Sequence, residues 1–223
     1  KEVCYLDDKS YGFVSLEEIA VFKAHKRLSV SFNALPKDKS YAQKEGYTFF
    51  MEKEIYEQSA VVSETLMGRV KNHKISLENL DDEYLKSLDD IVLCACGTSY
   101  HAALTASYLF ERLADVRARV EVASEFRYRK PKLLKNSLFI VISQSGETAD
   151  TLEALKIAKE NGLKTLAICN VDNSSIVRIA DITLLTRAGI EKGVASTKAF
   201  ATQVALLWML VLQVAQAKGS LSA

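Results

Sequence analysis

The hydrophobic rhythm of the chain changes after Leu88. From there, short and nearly continuous apolar runs alternate with stretches of helical period. Ile91-Val92-Leu93-Cys94-Ala95, Leu138-Phe139-Ile140-Val141-Ile142, Leu166-Ala167-Ile168-Cys169 and Ile182-Thr183-Leu184-Leu185 read as buried strands, and Ala118-Arg119-Val120-Glu121-Val122-Ala123 as a fifth, more polar one. Between them lie three helical segments: His101 to Leu113, a stretch from Ser124 that must end near Pro131, and Thr148 to Asn161 with Gly162 at its C′ position. Strands apolar on both faces, in β-α-β-α order, imply a parallel sheet covered by helices.

Upstream the rhythm is different. From Thr48 the pattern is helical, with Met51, Ile55, Val62, Leu66 and Val70 near one face, and a second helix is expected over Leu77 to Leu88. Before that, Gly12 to Leu16, Ile19 to Phe22 and Arg27 to Phe32 read as three short antiparallel strands. Three such strands bury little core, so this segment reads as the edge of something larger. Pro36 to Gly46 is charged and turn-rich, and reads as a linker. The expected division is residues 1–46 and 47–223. The most apolar stretch, Ala199 to Ala217, is broken by Thr202, Gln203, Gln213 and Gln216. Its uninterrupted part, Val204 to Leu212, is far shorter than the ~20 residues that span a bilayer, so a buried core helix is expected.

Composition narrows the chemistry. Lys and Arg total 29 against 28 Asp and Glu, a formal net charge of +1. That balance gives no electrostatic footprint for nucleic acid or an anionic membrane surface, and a soluble cytoplasmic protein is expected. It leaves room for a small anion, which needs only a few local donors. Cys4, Cys94, Cys96 and Cys169 have no C-x-x-C spacing and no histidine cluster beside them. Cys94, Cys96 and Cys169 lie in apolar runs and read as small core residues, with no metal site. His25 and His73 read as surface residues, and Phe126-Arg127-Tyr128-Arg129-Lys130 as a solvated helix face.

In open parallel sheets, ligands collect at the carboxyl ends of strands. After Ile142 comes Ser143-Gln144-Ser145-Gly146-Glu147-Thr148, then a helix. Three hydroxyls, a glycine and a helix N-terminus suit a phosphate, and Ser145 or Thr148 acting only as a helix cap is the competing reading. Cys96-Gly97-Thr98-Ser99 repeats the arrangement after Ala95. A third loop, Gly189 to Lys198, precedes the apolar helix. Gly193 and Ala195 there allow backbone contact with a sugar and Glu191 or Ser196 hydrogen bonds to its hydroxyls, unless the loop merely caps the helix. No Walker A loop, G-x-x-x-x-G-K-[ST], is present, and no G-x-G-x-x-G follows the first strand, which argues against a dinucleotide cofactor. His101 lies near the proposed site and reads as structural.

These motifs together resemble the sugar isomerase (SIS) domains. Ser143 to Thr148 with Ala149-Asp150-Thr151-Leu152 looks like their phosphosugar loop. Cys96 to Tyr100, Ala123 to Arg129, Gly193 to Phe200 and Met51 to Gln58 narrow the likeness to the first isomerase domain of the glutamine-dependent fructose-6-phosphate aminotransferase family, over roughly residues 47 to 218. The resemblance implies a three-layer α/β/α fold with a five-stranded, flavodoxin-like parallel sheet, preceded by a short β segment. It implies that Ser143, Gln144, Ser145 and Thr148 hold the phosphate, that Thr98 and Ser99 meet the sugar, and that Val194, Ala195 and Ser196 belong to a loop closing on the substrate. The implied ligand is a hexose 6-phosphate, fructose or glucose 6-phosphate, with no cofactor or metal and a homodimer formed through the SIS domains. Residues 1–46 resemble the last strands of a glutaminase domain.

The departures matter equally. Lys1 is not the family's nucleophilic cysteine. The family's second isomerase domain, Schiff-base lysine, acid–base glutamate and ring-opening histidine belong to sequence beyond Ala223. Phe49, Phe50, Ser59, Ile190 and Lys192 also differ from the usual residues. The expectation is a piece of such an enzyme, with no catalytic residues of its own, that binds phosphosugar weakly. The alternatives are a phosphosugar-sensing module and a small isomerase using His101 or Glu125 as base.

Overall fold

The computed structural model describes residues 2–34, 43–129 and 131–221. The chain divides into two compact units, Lys1–Gln43 and Lys44–Ala223.

In the first unit, β1 (Glu2–Val3) pairs with β5 (Asn33–Ala34), and β2 (Ser10–Val14), β3 (Ile19–Lys23) and β4 (Lys26–Leu28) form an antiparallel meander. The β2–β3 turn is held by Ser15, whose Oγ accepts the N–H groups of Glu17 and Glu18. The strand expected over residues 27–32 stops at Leu28. Of the expected linker, positions 36–42 lie outside the described residues.

The second unit opens with α1 (Phe50–Leu66), a hairpin of β6 (Val70–Lys71) and β7 (Lys74–Ile75), and α2 (Asp82–Lys86). The helix expected over 77–88 is shorter because Asp81 starts it: its carboxylate accepts the Glu83 and Tyr84 N–H groups. Leu77 is buried ahead of that cap, its own N–H bonded to the Gln213 side chain. The helix α1 forms where its period predicts, but its apolar stripe is not the buried face. Met51, Ile55 and Leu66 are exposed, while Lys53, Glu54, Val61 and Thr65 are buried. The reason is polar: the buried face hydrogen-bonds to loops of the sheet. Thr65 Oγ1 donates to the Thr186 carbonyl at 2.6 Å, and just beyond the helix Arg69 reaches the Leu185 carbonyl at 2.9 Å.

Then come β8 (Asp90–Ala95), α3 (Gly97–Ala114), β9 (Arg117–Val122), α4 (Ala123–Phe126), β10 (Ser137–Ser143), α5 (Ala149–Glu160), β11 (Lys164–Cys169), α6 (Ser175–Ile179), β12 (Ile182–Leu185) and α7 (Lys198–Lys218). The sheet is wholly parallel, in the order β12-β11-β10-β8-β9. Side chains alternate between its faces. Ile91, Leu93, Leu138, Ile140, Ile142, Leu166 and Ile168 pack with α3 and α7. Val92, Cys94, Phe139, Val141 and Ala167 pack with α4, α5 and α6. Each large apolar side chain buried this fully contributes about 1.5–3 kcal/mol relative to exposure. Three layers result, as expected. By length and composition α7 is apolar enough to cross a membrane, but Leu206, Leu207, Leu210, Val211 and Val214 are buried in this core.

Candidate functional site

Counted from β9, the strand order is second-first-third-fourth-fifth. After β8 the chain moves to one side of the sheet, and after β10 to the other. The crevice at the carboxyl ends of adjacent strands β8 and β10 is therefore a topological switch point. The two hydroxyl-rich loops sit there, one on each strand, because register pairs Val141 with Cys94.

The loop after β10 is folded on itself and on its neighbour. Ser143 Oγ accepts the Gly146 N–H at 3.0 Å and lies 3.1 Å from Thr148 Oγ1. Ser145 Oγ accepts the Glu147 N–H at 3.2 Å. Gly146 has φ +68°, a conformation that disfavours any side chain, and a Cβ there would overlap Ser174 and lie 2.8 Å from Cys169 Sγ. Its carbonyl accepts the Ile176 N–H at 3.1 Å, and the Gln144 carbonyl accepts the Asn170 N–H at 3.3 Å. The loop is thus locked to the β11–α6 connection.

Thr148 occupies the N-cap position of α5 but makes no side-chain cap bond. Its hydroxyl is turned to Ser143 instead. Cys96, at the N-cap of α3, also makes none, and Gly97 follows at φ +58°. Two helices thus present their first N–H groups, and the positive ends of their dipoles, to one crevice without a capping side chain. Ser99 is buried and Thr98 exposed at the start of α3. Thr151, in the first turn of α5, is buried with its hydroxyl unpartnered. This set of neutral donors can hold an anion.

The third loop behaves differently. Glu191 Oε1 accepts the N–H groups of Thr197 and Ala199 at 2.9 and 3.1 Å, and its Oε2 accepts from Ser196 Oγ at 3.1 Å. Glu191 is therefore the cap of α7, not a free acceptor for a sugar, and Ser196 is bound to it. Val194 and Ala195 are exposed.

The two buried thiols near the crevice are poor nucleophiles. Burial pushes the Cys94 and Cys169 thiols up, so both stay protonated near neutrality. His101 is exposed on α3, its ring edge-on to Tyr100, and Glu125 is exposed on α4. Among the described residues no group of three or more His, Cys, Asp or Glu is placed to hold a metal ion.

A family model described as the SIS domain matches residues 84–213. The chain belongs to the SIS domain family. Its likeness extends further along the chain. It is 64% identical over 215 residues to a Campylobacter jejuni protein named glutamine–fructose-6-phosphate aminotransferase (isomerizing), covering 96% of this chain and 36% of that protein. It is 48% identical over 217 residues to the Helicobacter pylori protein of the same name, covering 97% and 36%. Among solved structures, the C-terminal domain of glucosamine-fructose-6-phosphate aminotransferase from Francisella tularensis superimposes with a TM-score of 0.77 at 48% identity, covering 81% of this chain and 51% of that one. The chain spans about a third of the length of the curated relatives it matches.

Within this SIS domain, sequence reasoning missed the residues that hold the loops. Asn170, at the end of β11, accepts the Ala188 N–H and the Thr186 hydroxyl and donates to the Gly189 carbonyl at 2.7 Å. On α1, Glu54 accepts the backbone N–H groups of Lys192 and Gly193. Glu57 receives Lys198 Nζ at 2.7 Å and Lys53 Nζ at 3.5 Å. The available signal was the i, i+3 pair Glu54 and Glu57, which the apolar stripe of α1 overshadowed.

Proposed function

We propose that this SIS domain is the phosphosugar-binding part of an isomerising glutamine–fructose-6-phosphate aminotransferase, which makes glucosamine 6-phosphate from fructose 6-phosphate and glutamine. Ser143, Gln144, Ser145 and Thr148 cradle the phosphate with the first N–H groups of α5. Thr98 and Ser99, at the start of α3, meet the sugar, and Val194, Ala195 and Ser196 approach it from the third loop. The observation that carries this reading is the pair of helix starts without side-chain caps at the switch point between β8 and β10. The 64% identity to a protein of that name supports the choice of hexose phosphate.

In this reading residues 1–46 are the last strands of a glutaminase domain, and the ammonia-releasing and isomerising groups belong to other parts of the enzyme. The residues of the three loops bind and orient. They supply no general base and form no covalent intermediate. Two copies associate through their SIS domains in the cytoplasm, without nucleic acid or membrane, which accords with a formal net charge of +1.

The test is a titration of the chain with fructose 6-phosphate and glucose 6-phosphate, followed by amide NMR. Shifts should concentrate on residues 97–99 and 145–151. Ser145→Ala should weaken binding by ~1–2 kcal/mol, the scale of one hydrogen bond to a charged group. Shifts confined to other surfaces would reject the site, and unchanged affinity in the variant would leave Ser145 a turn residue only.

A further inference from the structure

We infer that Glu54, on α1, is a positioning residue for the 194–196 loop and acts through it on the sugar part of the ligand, not on the phosphate. The inference rests on the phosphosugar reading. Glu54 is only 2% exposed, and a carboxylate buried this deeply must be compensated. The compensation comes from loop backbone: both oxygens receive the Gly193 N–H at 3.1 Å, and Oε1 also receives the Lys192 N–H. The contact is close enough that a Cβ at position 193 would lie 2.5 Å from Glu54 Oε2. Glycine there lets the main chain lie directly on the carboxylate.

The two residues after that contact are unusual for a held segment. Val194 is fully exposed, at 106%, and Ala195 is exposed beside it. Their backbone is nonetheless fastened at both ends. Glu54 holds residues 192 and 193 before them. After them Glu191 holds Thr197 and Ala199, and Glu57, one turn along α1, holds Lys198. An apolar side chain kept in water on a backbone fixed by carboxylates on either side is preorganised for a surface not yet present. The phosphate donors of α5 share none of these partners. A loosened Glu54 contact should therefore cost sugar recognition while leaving phosphate recognition intact.

The experiment is calorimetric titration of the 223-residue chain with glucose 6-phosphate and, separately, inorganic phosphate. Glu54→Ala should weaken glucose 6-phosphate about tenfold, the scale of losing hydrogen bonds to a buried charge, and leave inorganic phosphate within about twofold. Glu54→Gln keeps one acceptor oxygen and should recover part of the loss. Gly193→Ala presses on the same contact from the loop side and should reproduce the split between ligands, so the inference stays testable if Glu54→Ala does not fold. A Glu54→Ala chain that loses both ligands equally, or neither, overturns the inference. An unaltered chain that binds neither ligand overturns the phosphosugar reading itself.

Discussion

The starts of α5 and α7 face the same chemical problem and solve it in opposite ways. Each helix leaves N–H groups without intrahelical partners. At α7 a carboxylate from its own loop takes them: Glu191 accepts from Thr197 and Ala199. At α5 the N-cap Thr148 makes no cap bond, and Ser143 and Ser145 bond within the turn. One terminus is satisfied internally and negatively charged. The other is built from neutral donors at a switch point and left open. Hydroxyl-rich loops of similar composition can thus differ in what their helix starts offer, and what separates them is whether an acidic residue of the chain already takes the N–H groups.

The sharpest way to break this contrast is Gly146→Ala. The φ of +68° and the overlap with Ser174, which is itself buried, leave the new methyl no room. Strain and overpacking together should cost about 2–4 kcal/mol of stability. Phosphate binding should fall at least about tenfold, because the displaced turn carries the donors. Urea unfolding and phosphate titration read the two effects. A variant with normal binding would mean that the turn is not the site.

Glu191→Ala tests the other side. It strips the cap from α7 and should lower stability by about 1–2 kcal/mol, as lost N-caps do. Inorganic phosphate binding at α5 should not change. If it fell in step with stability, the two helix starts would not be independent, and the contrast between them would fail.

Much of this was legible in the sequence. The five strands and α3, α5 and α7 follow from apolar runs and helical period, because both sheet faces are covered and burial dominates there. Ser143 to Thr148 was legible as a hydroxyl-rich turn leading into a helix because glycine and hydroxyls follow a buried strand. The polar face of α1 was not. Periodicity assumes that the apolar stripe is the buried one, yet here Met51 and Ile55 are exposed, and Lys53 and Glu54 are inside. Lys53 is paired locally, with Glu57 one turn on and with Glu45, but Glu54 is compensated by the N–H groups of Lys192 and Gly193, and Glu57 also binds Lys198, contacts more than a hundred residues away in sequence. No local pattern encodes them. Glu191 was ambiguous for the same reason: a glutamate before a helix can serve a ligand or a cap, and only geometry decides.

The smallest expected effect lies at the far end of α5 and separates helix anchoring from ligand binding. Lys159, in the last turn of α5, donates to Asp181 at 2.7 Å, and Asp181 also accepts from Thr165. Burial raises the Asp181 carboxyl, but the bonds from Lys159 and Thr165 outweigh it and hold it below its usual value. A depressed carboxyl contributes stability that is fully present above the unfolded value, about pH 4, and lost as pH falls through the folded one. Lys159 is partly exposed, so the contribution should stay under about 1 kcal/mol. Asp181→Asn should therefore destabilise slightly at pH 7 and flatten the acid limb of the stability curve below about pH 4. Binding of glucose 6-phosphate should instead weaken between about pH 7 and 5, as the second ionisation of its phosphate ester, near 6, is reversed. The hydroxyls and amides at the start of α5 do not titrate in that range. In the Asp181→Asn chain the binding profile should keep its shape while the acid limb of stability changes. A binding profile that moved with the mutation would show that the two ends of α5 are coupled, and that its open N-terminus depends on how its C-terminus is anchored.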